Sequence, residues 1–291
     1  MTEKLSIAWW NTGLSPSAKS RATDEQRNIA IQVIQYLLLV EKIDFLVLGE
    51  IAEEDIFTFQ QIQNFKNYRI KSGVSKIGHI AFDTCFIYRP DKITVASIDD
   101  IDTGRSGAKL KIAQKLVLRV AITEQPFYLF VSHWKSWLYC PENSPDRQTL
   151  GMLLRQEVDK ILSDNNSEFI VLVGDYNDEP FHASLADQLE ATRDKALVKR
   201  KPNLLYNPFW QHLTYSDVNL SYAGTHYYKS GGTTKWRTFD QIIVSSALLD
   251  NELQLNETET GIVHIPDYLK QVKDSKTIFD HLPVKTTIEK V

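Results

Sequence analysis

The sequence predicts an α/β fold in which two β-sheets pack face to face with helices outside. Three observations lead there. Four short runs, SIAWW (6–10), FLVLG (45–49), FYLFVS (127–132) and FIVLVG (169–174), are almost wholly apolar, as strands covered on both faces are. Two other stretches carry a helical period instead. The 291 residues are 43% hydrophobic, enough to fill one large core. No Pro/Gly/Ser-rich linker interrupts the chain, so one domain over 1–291 is expected.

The first helix is placed after Thr23. Thr23 and Gln26 have the spacing of a capping box, which satisfies free N–H groups at a helix start. Behind it Ile29, Val33, Leu37 and Val40 recur every three to four residues as one apolar face. The second helix is placed at Ser144-Pro145, a cap followed by a proline that a first turn tolerates. Leu150, Leu154, Val158 and Ile161 form its buried stripe. Further strands are expected at 79–88, 114–122, 225–229, 238–244 and 283–288, and the polar, acid-leaning segment 250–275 reads as surface loop.

Composition narrows the function classes. A net charge of −4 does not indicate a strongly basic nucleic-acid binder. An enzyme that grips phosphate through a bound cation need not be basic, so nucleic acid stays open. The two cysteines, Cys85 in an apolar run and Cys140 in a proline-containing loop, offer neither a disulfide framework nor a zinc pattern. The N-terminal stretch has no long apolar run and no segment approaches 18 apolar residues, so a cytoplasmic protein without a membrane span is expected.

The ends of the apolar runs carry the chemistry. SIAWW ends at Asn11, FLVLG at Glu50, FYLFVS at His133, and FIVLVG at Asp175 with Asn177 two residues on. TFDQIIVS carries Asp240, and FDHLPV carries Asp280 and His281. Burying a charge without a partner is costly, so six such placements point to an oxygen-rich, acidic pocket at one rim of the sheets. Taken singly, each group has a plainer reading: a strand-end acid, an Asx turn in GDYNDEP, or a satisfied core histidine.

Taken in order, WWN, LGE, SHWKS, GDYND, FDQIIVS and FDHLPV resemble the motifs of the endonuclease/exonuclease/phosphatase superfamily over residues 9–284. The resemblance implies a four-layer α/β/β/α sandwich of two packed mixed sheets flanked by helices. It also implies cleavage of a phosphoester with a divalent ion, Mg²⁺ or alternatively Mn²⁺. By the same resemblance Glu50 and Asp280 match metal ligands, with Asn11 nearby as a neutral oxygen donor. Mg²⁺ keeps several waters and needs only one or two direct carboxylates. Asp175 and Asn177 match the pair that orients and activates the attacking water. Asp240 and His281 match a dyad in which the carboxylate fixes the imidazole. His133 matches a phosphate-contacting histidine. Asp178 reads as a turn or cap residue.

Substrate contacts are less determined. Lys135 and Arg147 would add positive charge near His133, or be solvated surface cations. Trp134 and Trp137 read equally as packing or as stacking groups. The segment 226–237 interleaves Tyr227, Tyr228 and Trp236 with Lys229, Lys235 and Arg237 around Gly-Gly, a hairpin whose rings either stack on bases or pack inward. Lys195, Lys199, Arg200 and Lys201 form a second cation cluster, read as a solvated charge run. WRTFDQI stands where inositol-polyphosphate phosphatases tend to have a WCDR-like stretch. FDQ and FDH stand where the apurinic-endonuclease branch tends to have LDY and SDH. A nuclease on DNA or RNA is the leading expectation. A phosphatase or phosphodiesterase on small-molecule or lipid-headgroup esters is the alternative.

Overall fold

The computed structural model describes residues 3–105, 108–162, 166–214 and 222–291. The chain opens with β1 (Lys4–Asn11), α1 (Asp24–Gln35), β2 (Phe45–Gly49), α2 (Glu53–Gln60), β3 (Arg69–Ser72), β4 (Ser75–Ile77), β5 (Ile80–Phe82) and β6 (Cys85–Tyr88). Then come β7 (Ile93–Arg105), β8 (Ala108–Val120), β9 (Phe127–His133), α3 (Pro145–Asp159), β10 (Phe169–Asp175), β11 (Ala191–Thr192), α4 (Lys195–Arg200) and β12 (Leu205–Tyr206). It closes with β13 (His226–Tyr227), β14 (Trp236–Arg237), β15 (Asp240–Ser245), α5 (Ala247–Asp250), β16 (Leu253–Ile262), α6 (Tyr268–Lys273) and β17 (Val284–Lys290).

Two large mixed sheets result, a six-stranded one in the order β16-β17-β1-β2-β6-β3 and a seven-stranded one in the order β11-β12-β15-β10-β9-β8-β7. One core lies between them, where Leu5, Ile7, Trp9, Val47 and Val284 of one sheet meet Leu129, Val131, Val171, Val173 and Ile242 of the other. A second core buries α1 against the outer face of the first sheet through Ala30, Val33, Ile34, Leu46 and Leu48. A third buries α3 against the second sheet through Leu150, Leu154, Val158, Ile170 and Leu172. The four layers expected for the fold are therefore present, and the almost wholly apolar runs are the strands covered from both sides.

Both expected helix starts are found. Gln26 N donates to Thr23 Oγ1 at 3.3 Å and Thr23 N to Gln26 Oε1 at 2.9 Å. Ser144 caps α3 by accepting from Arg147 N. The apolar face of α1 differs from the expected stripe. Residues Tyr36–Val40 form one wide π-turn, closed by Glu41 N donating to Tyr36 O. The extra residue per turn breaks the four-residue spacing, so Leu37 and Leu38 are buried while Val40 is exposed. The segment 250–275 is not loop. It holds β16 at the edge of the first sheet and α6. In β16 Leu253, Leu255 and the Thr260–Ile262 end point inward, so the polar composition reflects an edge strand with one wet face. The Lys195–Lys201 cluster is solvated as expected, with Lys195 paired to Glu257 and Lys199 to Asp250. Among the described residues no helix is long and apolar enough to cross a membrane.

Candidate active site

Sheet topology gathers the expected residues. Parallel β1 and β2 end together, with Asn11 opposite Gly49 and Glu50 following. Parallel β9 and β10 end together, with His133 opposite Asp175. Antiparallel β15 begins where β10 ends, with Asp240 opposite Asp175, and Asp280-His281 lies just before β17. Strands of one direction finish at the rim where those of the other start.

The two sheets are joined at this rim by polar contacts. Trp9 reaches across the core and its Nε1–H donates to Asp240 Oδ1 at 2.7 Å. Its ring lies over Gly49, where an added Cβ would come within 2.5 Å of it. Asp240 Oδ2 accepts from His281 Nδ1 at 2.7 Å. This fixes the imidazole and turns Nε2 toward Asp175 Oδ2, 3.7 Å away. Burial disfavours charge on the His281 ring, but Asp240, Asp175 and Asp280 outweigh it and hold its pKa well above the ordinary histidine value. Asp175 is itself buried. Its Oδ1 accepts from the backbone N–H of Asn177 at 2.8 Å and its Oδ2 from Asn11 Nδ2 at 3.2 Å. Asn177 turns back to donate its amide to Trp134 O at 3.0 Å.

Glu50 sits in the left-handed region (φ 56°), uncommon for a residue with a long side chain and worth about 1–3 kcal/mol of strain. Its carbonyl is tied down by Ser15 N at 2.7 Å and Thr12 Oγ1 at 3.1 Å. The strained turn aims the carboxylate at the rim, where Oε2 is buried with no hydrogen-bond donor. Arg21 comes only to 3.8 Å from it. Burial raises the Glu50 pKa, with His133 opposing and the Asp280 charge adding to the rise. Burial pushes Asp280 up too, but His226, His281 and Lys229 prevail and hold it at about 2. Two neighbouring carboxylates, one with an unsatisfied buried oxygen, suit a hard dication with oxygen ligands.

Several expected residues stand elsewhere or act differently. Asn11 presents its amide nitrogen, not its oxygen, to the carboxylates. Nδ2 faces Glu50 and Asp175, while Oδ1 accepts from Gly13 N at 3.2 Å. It thus bridges the two acids. Arg147 is buried within the fold. Its guanidinium donates to the carbonyls of Tyr176, Lys135 and Cys140 at 3.1, 2.7 and 2.7 Å, because helix α3 carries it under the loop that leaves β9. Lys135 is exposed on that loop. Trp134 is packing, buried with its Nε1–H donated to Ile112 O. Trp236 packs on Tyr227 and Tyr222 at 4.9 and 6.1 Å, with Lys273 over its ring, while Tyr228 is exposed. Asp178 lies in the bend after β10. It is buried, and takes hydrogen bonds from Ser184 and Trp137 beside Arg147.

The structure also adds residues that the sequence did not single out. Asp83, between β5 and β6, accepts from His133 Nδ1 at 3.1 Å and from Lys111 Nζ at 2.8 Å. His133 therefore has its own carboxylate, as His281 has Asp240. Burial pulls the His133 pKa down, but Asp83 more than offsets it, and the ring ends above its ordinary value. His226 of β13 lies against His281, ring centroids 4.5 Å apart. The only sequence signal for Asp83 was an acid inside an apolar stretch; His226 had none beyond its place in the aromatic hairpin.

A family model described as the Endonuclease/Exonuclease/phosphatase family matches residues 28–288. The chain belongs to this family. Its members are phosphoester hydrolases. Several solved structures share the fold. Zebrafish (D. rerio) TDP2 complexed with a single-strand DNA product is 18% identical over 98% of this chain and 99% of that one, with a TM-score of 0.63. The human Nocturnin catalytic domain with bound sulfate is 16% identical over 100% and 96%, TM-score 0.61. Bacteroides thetaiotaomicron mannosyl-6-phosphatase is 16% identical over 98% and 99%, TM-score 0.61. No curated protein matches the sequence.

Proposed function

We propose that the chain is a divalent-metal-dependent phosphodiester hydrolase, a nuclease acting on DNA or RNA. The observation that supports this most is the junction of Asp175 with the Asp240–His281 pair beside two acids, Glu50 with an oxygen that has no donor and Asp280. Glu50 and Asp280 would hold Mg²⁺, with Mn²⁺ as the alternative. When bound, the ion supplies positive charge to the phosphoryl oxygens.

The side chains divide the remaining work. Asp175 takes the proton of the attacking water through a carboxylate that Asn177 N–H and Asn11 hold in one orientation. His281, kept charged by Asp240, donates from Nε2 to the phosphate as negative charge builds there. His133, backed by Asp83, offers a second imidazole from the neighbouring strand β9 and serves the leaving oxygen. Lys135 remains the candidate for contact with a neighbouring phosphate.

TDP2, with its DNA product on the same fold, favours a polymer substrate. Exposed Tyr228, two residues from the β13 start, offers a free ring for a base. A small phosphate ester is the second reading, favoured by the phosphatase of the same fold. Incubation with Mg²⁺ and labelled single- and double-stranded DNA and RNA, beside a panel of phosphate monoesters, tests the choice. Cut polymer without released phosphate supports the nuclease. Released phosphate with intact polymer replaces it by the second reading.

A further inference from the structure

His226 has no role in the reaction just described, yet it stands in the site. Its ring stacks on Phe239 at 5.2 Å and 13° and touches His281. Its Nε2 lies 3.8 Å from Asp280 Oδ2, too long for a hydrogen bond. His281 Nε2 lies 3.8 Å from the other oxygen, Asp280 Oδ1, also without a hydrogen bond. One ligand atom from each of His226, Asp280 and His281 falls within a 4.8 Å cluster. These are the separations of donors around a common centre rather than of bonded partners.

One further fact points to an ion. His281 is 7% exposed, and its Nδ1 is already committed to Asp240. A carboxylate behind a histidine is the arrangement that orients metal-binding imidazoles, and it leaves Nε2 aimed into the cluster. At position 226 a phenylalanine would keep the stack on Phe239; what histidine adds there is Nε2 beside Asp280.

We propose that His226, Asp280 and His281 form a binding site for a borderline transition-metal dication such as Zn²⁺, distinct in donor set from the all-oxygen Mg²⁺ site though sharing Asp280 with it. Imidazole nitrogen suits Zn²⁺ and its neighbours, whereas Mg²⁺ prefers oxygen. Nearby Asp175 and Asp240 add negative charge that favours a cation there. An ion on Nε2 of His281 takes that atom away from substrate, so the site would make the enzyme sensitive to Zn²⁺.

Zn²⁺ binding is measured by calorimetry on wild type, His226→Phe and Glu50→Ala, with side-chain nitrogen-15 resonances of the wild-type histidines followed through the titration. One Zn²⁺ should bind wild type, moving two Nε2 resonances. His226→Phe should bind it at least 10-fold more weakly, and Glu50→Ala should bind it as wild type does. Equal affinity in wild type and His226→Phe overturns the site, as does a titration that moves no histidine resonance. The spectra need no variant, so a misfolded His226→Phe does not leave the question open. The proposal rests on Asp280 being an ion ligand. Loss of Mg²⁺-supported hydrolysis in Glu50→Ala tests the proposed reaction separately, and either can fail alone.

Discussion

Replacing Asp240 with asparagine changes one charge and almost no volume. The amide oxygen of the new side chain can still accept from Trp9 Nε1, which lies 2.7 Å from the carboxylate in wild type. That turns the new amide N–H toward His281 Nδ1. The ring then loses its closest counter-charge, at 2.7 Å, and keeps only Asp175 at 3.7 Å and Asp280 at 3.8 Å. Burial then prevails, the imidazolium gives up its proton, and the phosphate meets a neutral donor. Losing one preorganised charged donor costs about 2.7–4 kcal/mol, or roughly 10²–10³ in kcat. The sign for pH follows from the raised His281 pKa: the charged ring persists in wild type as pH rises past the ordinary histidine value and is lost earlier in the variant. The alkaline limb of the pH–rate profile should therefore move to lower pH. Steady-state cleavage with saturating Mg²⁺ across pH measures both. A kcat within about threefold of wild type, or an unmoved alkaline limb, would rule out the dyad.

Three more outcomes are expected. Glu50→Ala should lower activity at fixed Mg²⁺ by at least about 100-fold without lowering the melting temperature, since it removes a buried carboxylate whose Oε2 has no donor. An unchanged Mg²⁺ titration removes Glu50 from the ion site. Arg147→Met should destabilise the fold by about 3–5 kcal/mol in urea unfolding, because three buried carbonyls and Asp178 lose their cation; a loss under about 1 kcal/mol would contradict the structural role. For Asp83, burial acts upward but His133 and Lys111 win, holding its pKa well below the usual carboxylate range. Its contribution is thus present above about pH 4, the unfolded value, and lost as pH falls through the folded one. Asp83→Asn should cost about 1–3 kcal/mol at pH 7, with the gap to wild type closing in acid; a gap independent of pH contradicts the ion pair.

The parts of the fold most legible in the sequence were those set by burial on both faces. β2 and β10 announce themselves because no residue in FLVLG or FIVLVG faces water. The rim groups were legible because each breaks such a run at its end. The strands with one wet face, β7 and β16, lacked that signal: in β16 a glutamine stands between the two buried leucines, and asparagine, threonines and acids follow them. Side-chain direction was also beyond reach. Whether Asn11 offers oxygen or nitrogen depends on Gly13 N, and whether Arg147 is surface or core depends on how α3 crosses the loop after β9. Asp83 needed both sheets, since its partners His133 and Lys111 come from the second sheet while β6 next to it belongs to the first.

Phosphodiester hydrolysis by an Asp175-activated water with a divalent ion is tested most directly by cleavage of labelled single-stranded DNA and RNA. Mg²⁺ is compared with EDTA, and wild type with Asp175→Asn. Wild type should cut with Mg²⁺ and not with EDTA, and the variant should lose roughly 10³-fold or more at an unchanged melting temperature. Cutting in EDTA, or near wild-type cutting by Asp175→Asn, would show that the water is activated in another way.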